Sequence, residues 1–308
     1  MLLISPVELL LLAFRRNERD VINLYNSFSR LMQITSGGNM LNFGYWNDKT
    51  KNPLEAQYEL SNMIGEFASL DEARILIDIG SGYSAPALQW SSQYNLLKIL
   101  CLNLNLQQLK MAIAFKSNSK LRDHAIACIP GTSLQNSNMF HINATSTALP
   151  LKSNSVDRVI AFESAQHFKP LYKFIQESSR VLKNSGLLVI AMPVITDTSN
   201  FVSLPLFIKL GILSVTWASE HYKLQYVKSM VSTQGFQIED IRRIGPNVYV
   251  PLANYYIENR ERLKNIITKE YPKFLESILY RSLLEMKDSS NQGVIDYMLL
   301  RAKKNESF

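Results

Sequence analysis

Ile75-Leu76-Ile77-Asp78-Ile79-Gly80-Ser81-Gly82-Tyr83-Ser84-Ala85-Pro86 reads as a short apolar strand that runs into a glycine turn. Gly80 and Gly82 let the backbone approach a ligand, because glycine has no Cβ and tolerates left-handed dihedrals. A helix is predicted to start near Ala85 and Pro86, since proline suits the first turn. Taken literally, Gly80-x-Gly82-x-x-Ala85 satisfies the dinucleotide pattern G-x-G-x-x-G/A. Two residues argue against a dinucleotide. Asp78 ends the strand, where a carboxylate repels phosphates but suits a cationic amino group of a zwitterionic ligand. The place about 20 residues on, where an acid would grip ribose hydroxyls, holds Asn103. An amide still hydrogen-bonds a hydroxyl, more weakly than a carboxylate does.

Working outward, short apolar runs recur at 74–79, 97–102, 139–142 (the weakest), 157–162 and 187–191. Such runs suit strands buried on both faces of a parallel sheet. Helical patterns separate them. Residues 105–118 place Leu106, Leu109, Ala112 and Ile113 on one face. Residues 168–183 place Phe168, Leu171, Phe174, Ile175, Ser178 and Leu182 on one face. The alternation predicts an open α/β sheet with helices on both sides and a ligand at the carboxyl ends of the strands. Residues 236–244 and 294–301 are expected to be strands, and 254–287 a long charged helical region. The predicted organisation is a helical extension over 1–66 and a Rossmann-like core over 67–195. A cap insertion follows over 196–235, then C-terminal strands and helix over 236–308.

With 308 residues, 46% hydrophobic and 19% charged, the chain can bury a sizeable core. The net charge of +7 is spread over short pairs (Arg15-Arg16, Arg242-Arg243, Lys303-Lys304), so no nucleic-acid partner is expected. Cys101 and Cys128 lack metal-ligand spacing and are too few for a disulfide framework, which fits a reducing, cytoplasmic setting. In the first 16 residues, MLLISPVELLLLAFRR, the arginines follow the apolar run, unlike a secretory signal. That segment is expected to be a helix packed on the body, with membrane-surface contact as a weaker reading. The apolar stretch 201–219 contains Pro205, Lys209 and Gly211, and reads as a cap over a cleft rather than a membrane span.

Several segments, in order, resemble the class I S-adenosylmethionine (SAM) methyltransferases. ILIDIGSGYSAPAL (75–88) resembles their first motif, hydrophobic-L-D-x-G-x-G-x-G. LNLNLQQLKMA (102–112) is similar to the second-strand segment of a small-molecule subgroup that includes tocopherol, macrolide-sugar and rifamycin-type methyltransferases. INATSTALPLKSNSVDRVIAFESAQHF (142–168), ESSRVLKNSGLLVIAMP (177–193) and NMLNFGYWND (39–48) resemble further segments of that subgroup. WASEHYKLQYVKSMVSTQGFQIEDI, beginning at Trp217, resembles its cap helix and following strand. The resemblance covers roughly residues 20–250. Ser84 stands where the third glycine is usual, Asn103 where many relatives carry an acid, and Asn143 where an aspartate commonly meets the adenine amino group.

The resemblance implies a mostly parallel sheet of seven strands with an antiparallel last pair, and SAM as cofactor. Asp78, Gly80 and Gly82 would shape its methionine end. Asn103 and Gln108 would lie near ribose and adenosine, although Asn103 or Asn105 could instead cap the helix that follows. Asn143 and Ala144 would meet adenine. Tyr45 and Trp46, with Tyr25, could pack on the sulfonium cation, or else belong to the core. Glu163 ends the fourth strand and faces the cleft, and His167 follows one turn later. His167 and then His221 are candidate bases for an acceptor hydroxyl. His124 and His141 read as structural.

No metal cluster is expected, because in-line methyl transfer needs alignment and exclusion of water more than a catalytic triad. The apolar 201–219 and a loop at 246–256 predict a small, substantially hydrophobic acceptor. O-methylation is favoured, then C-, then N-methylation. The rival readings are a non-catalytic SAM-fold scaffold and, less favoured, an NAD-type oxidoreductase.

Overall fold

The computed structural model describes residues 17–117, 138–196 and 222–306. Within them, seven strands form one sheet in the order β3-β2-β1-β4-β5-β7-β6. These are β1 (Ile75–Ile79), β2 (Lys98–Asn103), β3 (Met139–Asn143), β4 (Val156–Phe162), β5 (Leu182–Ile195), β6 (Phe236–Arg243) and β7 (Ile295–Lys304). Strands β1 to β5 pair in parallel, and β7 runs antiparallel to both β5 and β6. The expected seven-stranded α/β architecture, with its antiparallel edge pair, is what the chain forms.

Consecutive strand residues point to opposite faces, so an apolar run fills two cores at once. Leu76, Ile99, Ile160 and Val189 join one buried cluster, whereas Ile77, Val159, Leu188 and Ile190 join the other. Six helices cover the first face: α1 (Glu18–Ser36), α2 (Pro53–Phe67), α3 (Ala85–Gln93), α7 (Tyr249–Glu258), α8 (Arg260–Glu270) and α9 (Lys273–Asn291). Helices α5 (Leu171–Val181) and α6 (Leu224–Thr233) cover the second. Helix α4 (Leu106–Ser117) follows β2.

Three expectations change. The region 254–287 is not one helix. Chain direction breaks at Asn259, and again at Tyr271, which takes an extended conformation before Pro272. A residue preceding proline is driven out of the helical region. The segment 246–256 is mostly helix α7, with Tyr249, Ala253 and Tyr256 buried. On α4, Leu106 and Ile113 are about half exposed, while Leu109 and Ala112 are buried. The inward stripe runs Asn105, Gln108, Leu109, Ala112, the i, i+3, i+4, i+7 spacing of one helix face. Two of those four are amides, because the stripe borders a polar cleft.

Cys101 is buried, as expected. No described helix is long and apolar enough to cross a membrane. The expectations for residues 1–16, Cys128, His124, the 201–219 cap and His221 lie outside the described residues.

Candidate active site

The glycine turn is built by β1 and fastened to β2. The Gly80 and Ser81 N–H groups both donate to Leu102 O, at 2.8 and 3.0 Å. Gly80 has φ +81 and no room for a side chain, since a Cβ there would lie 2.3 Å from Ser164 Cβ. Gly82, at φ +54, is different: a Cβ there meets nothing within 4 Å. The first glycine is therefore held by packing, and the second leaves open space over the turn. Ser84 adopts φ 58 just ahead of α3, whose first turn contains Pro86.

At the carboxyl ends of the strands lies a cavity of about 310 Å³. Of the residues singled out in the sequence, Tyr25, Asp78, Gly80, Gly82, Asn103, Gln108, Ala144, Glu163 and His167 all line it. Tyr45, Trp46 and Asn143 do not. Gly44, at φ +83, presses its backbone onto Ala56 of α2. Tyr45 N–H then donates to Ala56 O at 2.8 Å, and the Trp46 ring packs 5.8 Å from that of Tyr255. Asn143 is exposed, and its amide donates to Asn103 O and Leu104 O, both at 2.9 Å.

The two candidate helix caps separate. Asn105 Oδ1 accepts from Gln107 N–H and Gln108 N–H, at 3.0 and 3.3 Å, and so caps α4. Asn103 instead donates through Nδ2 to Gly82 O and to Gln108 Oε1, at 3.2 and 2.9 Å. Its acceptor oxygen is left without a partner among the described residues. Gln108 Nε2 in turn donates to Ser29 Oγ at 3.3 Å, which ties the cleft to α1.

Burial sets the electrostatics. Asp78 has no hydrogen-bond partner among the described residues, and burial pushes its carboxyl up to about 7. Burial likewise raises Glu163 to about 8, although two hydrogen bonds oppose the shift. Those bonds come from Phe43 N–H and Tyr297 OH, both to Oε1 and both at 2.9 Å. Glu163 sits at φ 48, a strained conformation for a non-glycine residue and one that clusters at functional sites. His167 is driven down to about 4 by burial, so its ring is neutral near pH 7. Tyr25 OH lies 3.3 Å from His167 Nε2.

A second cavity, of about 100 Å³, shares Tyr25, Leu41, Asn42 and Glu163 with the first. Its wall is mainly apolar, with Met32, Phe43, Leu252, Leu279 and Leu283 among its members. Three buried carboxamides, of Asn42, Gln57 and Gln166, interrupt it. Asn42 Nδ2 and Oδ1 and Gln57 Oε1 have no hydrogen-bond partner among the described residues. Such groups typically cost about 1–3 kcal/mol each when left unpaired. Sequence reasoning missed Asn42, the Phe43 N–H, Ser164 and Tyr297. The first two lie within the NFGYW segment, where the aromatic residues drew attention away from the amide and the backbone. Tyr297 was hidden in the alternating pattern of the closing strand.

The cleft suits a cationic, zwitterionic cofactor. Among the described residues it offers a buried carboxylate without a partner at Asp78, a turn that is open above Gly82, and an unused acceptor on Asn103. The methyltransferase domain family model matches residues 77–190, which span β1 to most of β5. Over 289 residues the chain is 25% identical to erythromycin 3''-O-methyltransferase of Saccharopolyspora erythraea, covering 91% of this chain and 88% of that one. It is also 25% identical over 166 residues to 27-O-demethylrifamycin SV methyltransferase of Amycolatopsis mediterranei, covering 54% and 55% of the two chains. Among solved structures, a mycolic acid cyclopropane synthase in complex with S-adenosylhomocysteine (SAH) superposes with a TM-score of 0.75 at 15% identity, covering 94% of this chain and 99% of that one. The 4+2 cyclase SpnF gives 0.70 at 19% identity, covering 94% and 97%. The chain has the class I SAM-dependent methyltransferase fold and a methyltransferase domain, and it is similar to natural-product methyltransferases. SAM is its cofactor.

Proposed function

We propose that the enzyme methylates an oxygen of a largely apolar acceptor, which enters the second cavity while the cofactor occupies the first. The observation that carries this reading is Glu163. It borders both cavities, and Phe43 N–H and Tyr297 OH fix its carboxyl. A carboxyl near 8 accepts a proton more readily than an ordinary one, and it ionises close to physiological pH.

SAM, when bound, supplies an electrophilic methyl group on a cationic sulfur. In this reading Asp78 pairs with the ammonium of its methionine end, and Asn103 Oδ1 accepts from a ribose hydroxyl. Gln108 keeps Asn103 in orientation. Ala144, which lines the cavity, would border the adenine, and Asn143 holds the end of β2 through Asn103 O and Leu104 O. Glu163 would take the proton of the acceptor hydroxyl whose oxygen receives the methyl group. His167, neutral and in contact with Tyr25, shapes the wall between the cavities. Alignment in such a site can supply up to ~7–11 kcal/mol of the barrier.

The test is calorimetric titration of the purified protein with SAM and SAH, repeated on Asp78→Ala, followed by turnover on hydrophobic alcohols and phenols. Saturable binding that weakens in Asp78→Ala, with turnover abolished in Glu163→Gln, is the expected result. Full activity in Glu163→Gln would remove that residue as the base.

A further inference from the structure

The second cavity contains more polar chemistry than a purely apolar acceptor would use. Gln57 is fully buried on α2, and its Nε2 donates to the main-chain oxygen of Asn42 at 2.5 Å. That bond ties the Gln57 carboxamide to the loop that carries Asn42 and leaves Gln57 Oε1 without a partner among the described residues. Asn42 is 7% exposed, and both of its side-chain polar atoms lack a partner among the described residues. The loop that carries Asn42 is not free to turn it away. Leu41 sits at φ 54, Phe43 N–H is bound to Glu163, and Gly44 is wedged against Ala56. The hydroxyls of Thr35 and Ser36 in the same wall donate to carbonyls of α1, and Gln166 Nε2 donates to Glu163 O at 2.8 Å. Among the described residues, three atoms without partners, one donor and two acceptors, therefore belong to the wall that also presents Glu163.

We infer that Asn42 and Gln57 read a vicinal pair of hydroxyls on the acceptor, beside or including the oxygen that is methylated. This rests on the methyltransferase reading and narrows its substrate class. Two O–H groups can donate to Asn42 Oδ1 and Gln57 Oε1, and one of their oxygens can accept from Asn42 Nδ2. A lone hydroxyl leaves an acceptor unpaired, and a lone carbonyl leaves both. A site built to bind hydroxyls discriminates strongly against an analogue that lacks one, because its own buried groups then go unpaired. Asn42 and Gln57 are thus specificity residues, and the apolar wall accommodates the remainder of the molecule.

The experiment uses 4-butylcatechol and 4-butylphenol as probes, titrated into the full chain in the presence of SAH. Wild type should bind the catechol about 10-fold or more tighter. Gln57→Met keeps the side-chain volume and removes the acceptor, and Gln57 lines only the second cavity. In that variant the ratio should fall to about 3 or less, with the SAH dissociation constant within about twofold of wild type. Asn42→Leu supplies an independent variant and should lower the ratio in the same direction. Equal binding of the two probes to wild type, no binding of either, or a ratio unchanged in both variants overturns the inference. The SAH titration reads the cofactor site alone, and the catechol-to-phenol ratio reads the carboxamides alone.

Discussion

Replacing Gly80 by alanine tests whether the glycine turn is held by packing or only by backbone conformation. The new Cβ would lie 2.3 Å from Ser164 Cβ and 2.9 Å from its Oγ, at a backbone φ of +81. The left-handed conformation costs about 1–2 kcal/mol for a residue with a Cβ. Overpacking adds about 1–3 kcal/mol, and the reduced freedom of the unfolded chain offsets about 0.4–1 kcal/mol. The net loss is about 2–4 kcal/mol, which lowers Tm by about 4–8 °C for a chain of this size. Gly82→Ala shares the positive φ but not the clash, since nothing lies within 4 Å of its Cβ. Its Tm should fall by no more than about 3 °C.

Thermal unfolding of both variants gives the comparison, and Ser164→Gly in the Gly80→Ala background completes a double-mutant cycle. Ser164 Oγ donates to Ile79 O at 2.6 Å, so Ser164→Gly is costly alone. The coupling should nevertheless be about 1 kcal/mol or more in favour of the double variant. Equal losses at the two glycines, or strict additivity in the cycle, would refute the packing argument.

Asp78 and Glu163 hold protons in the folded state, to about 7 and about 8, that the unfolded chain releases nearer its ordinary carboxylate values. Their stabilisation is complete below those unfolded values and is lost as pH rises to about 8, by up to about 1.4 kcal/mol per pH unit for each group. His167, held down to about 4, acts in the opposite sense between about pH 4 and 6.5. Urea midpoints measured from pH 5 to 9 should therefore show a shallower decline for Asp78→Asn than for wild type, and an unchanged slope would count against the buried-acid picture. Tyr297→Phe removes a donor from Glu163, so its carboxyl rises further and the acidic limb of the pH–rate profile moves up by as much as about one unit; an unmoved limb would separate Glu163 from the rate. Arg260→Met leaves fully buried Glu276 without its ion-pair partner, which bonds at 2.9 Å. Because the guanidinium is one-third exposed, the usual ~3–5 kcal/mol for a buried pair is reduced to about 1–3 kcal/mol. Urea unfolding measures it, and adding Glu276→Gln should recover part of the loss.

The core of the fold was legible because its chemistry is local. An apolar run such as 75–79, buried on both faces, leaves little freedom in what it can be, and the glycines with Asp78 mark its functional end. The amphipathic helix 171–181 is equally plain from its spacing. What periodicity could not give was any feature set by a distant partner. Leu106 and Ile113 look like core residues on α4, yet the adjoining cleft is polar and draws Asn105 and Gln108 inward. Tyr45 and Trp46 look like ligand residues, yet Gly44 packs the loop on α2 and carries both rings away from the cleft. Asn42 and Tyr297 look like a loop amide and a strand aromatic. They gain a role only because Gln57 and Glu163, remote in sequence, arrive beside them.

Strand β7 comes after every other described element in the chain, but it is not an edge of the sheet. It inserts between β5 and β6, which precede it, and along its length it carries Tyr297 to Glu163. A nascent chain that has emerged only as far as α9 can pair its parallel strands and shape the cofactor end of the cleft. It still has an unprotected apolar β5 rim, the kind of edge that recruits other strands, and its proposed base has half its anchors. Assembly and competence thus arrive together once Ile295–Lys304 has been made. Interrupting translation just before Ile295 would release a sticky, inactive fragment instead of a weakened enzyme.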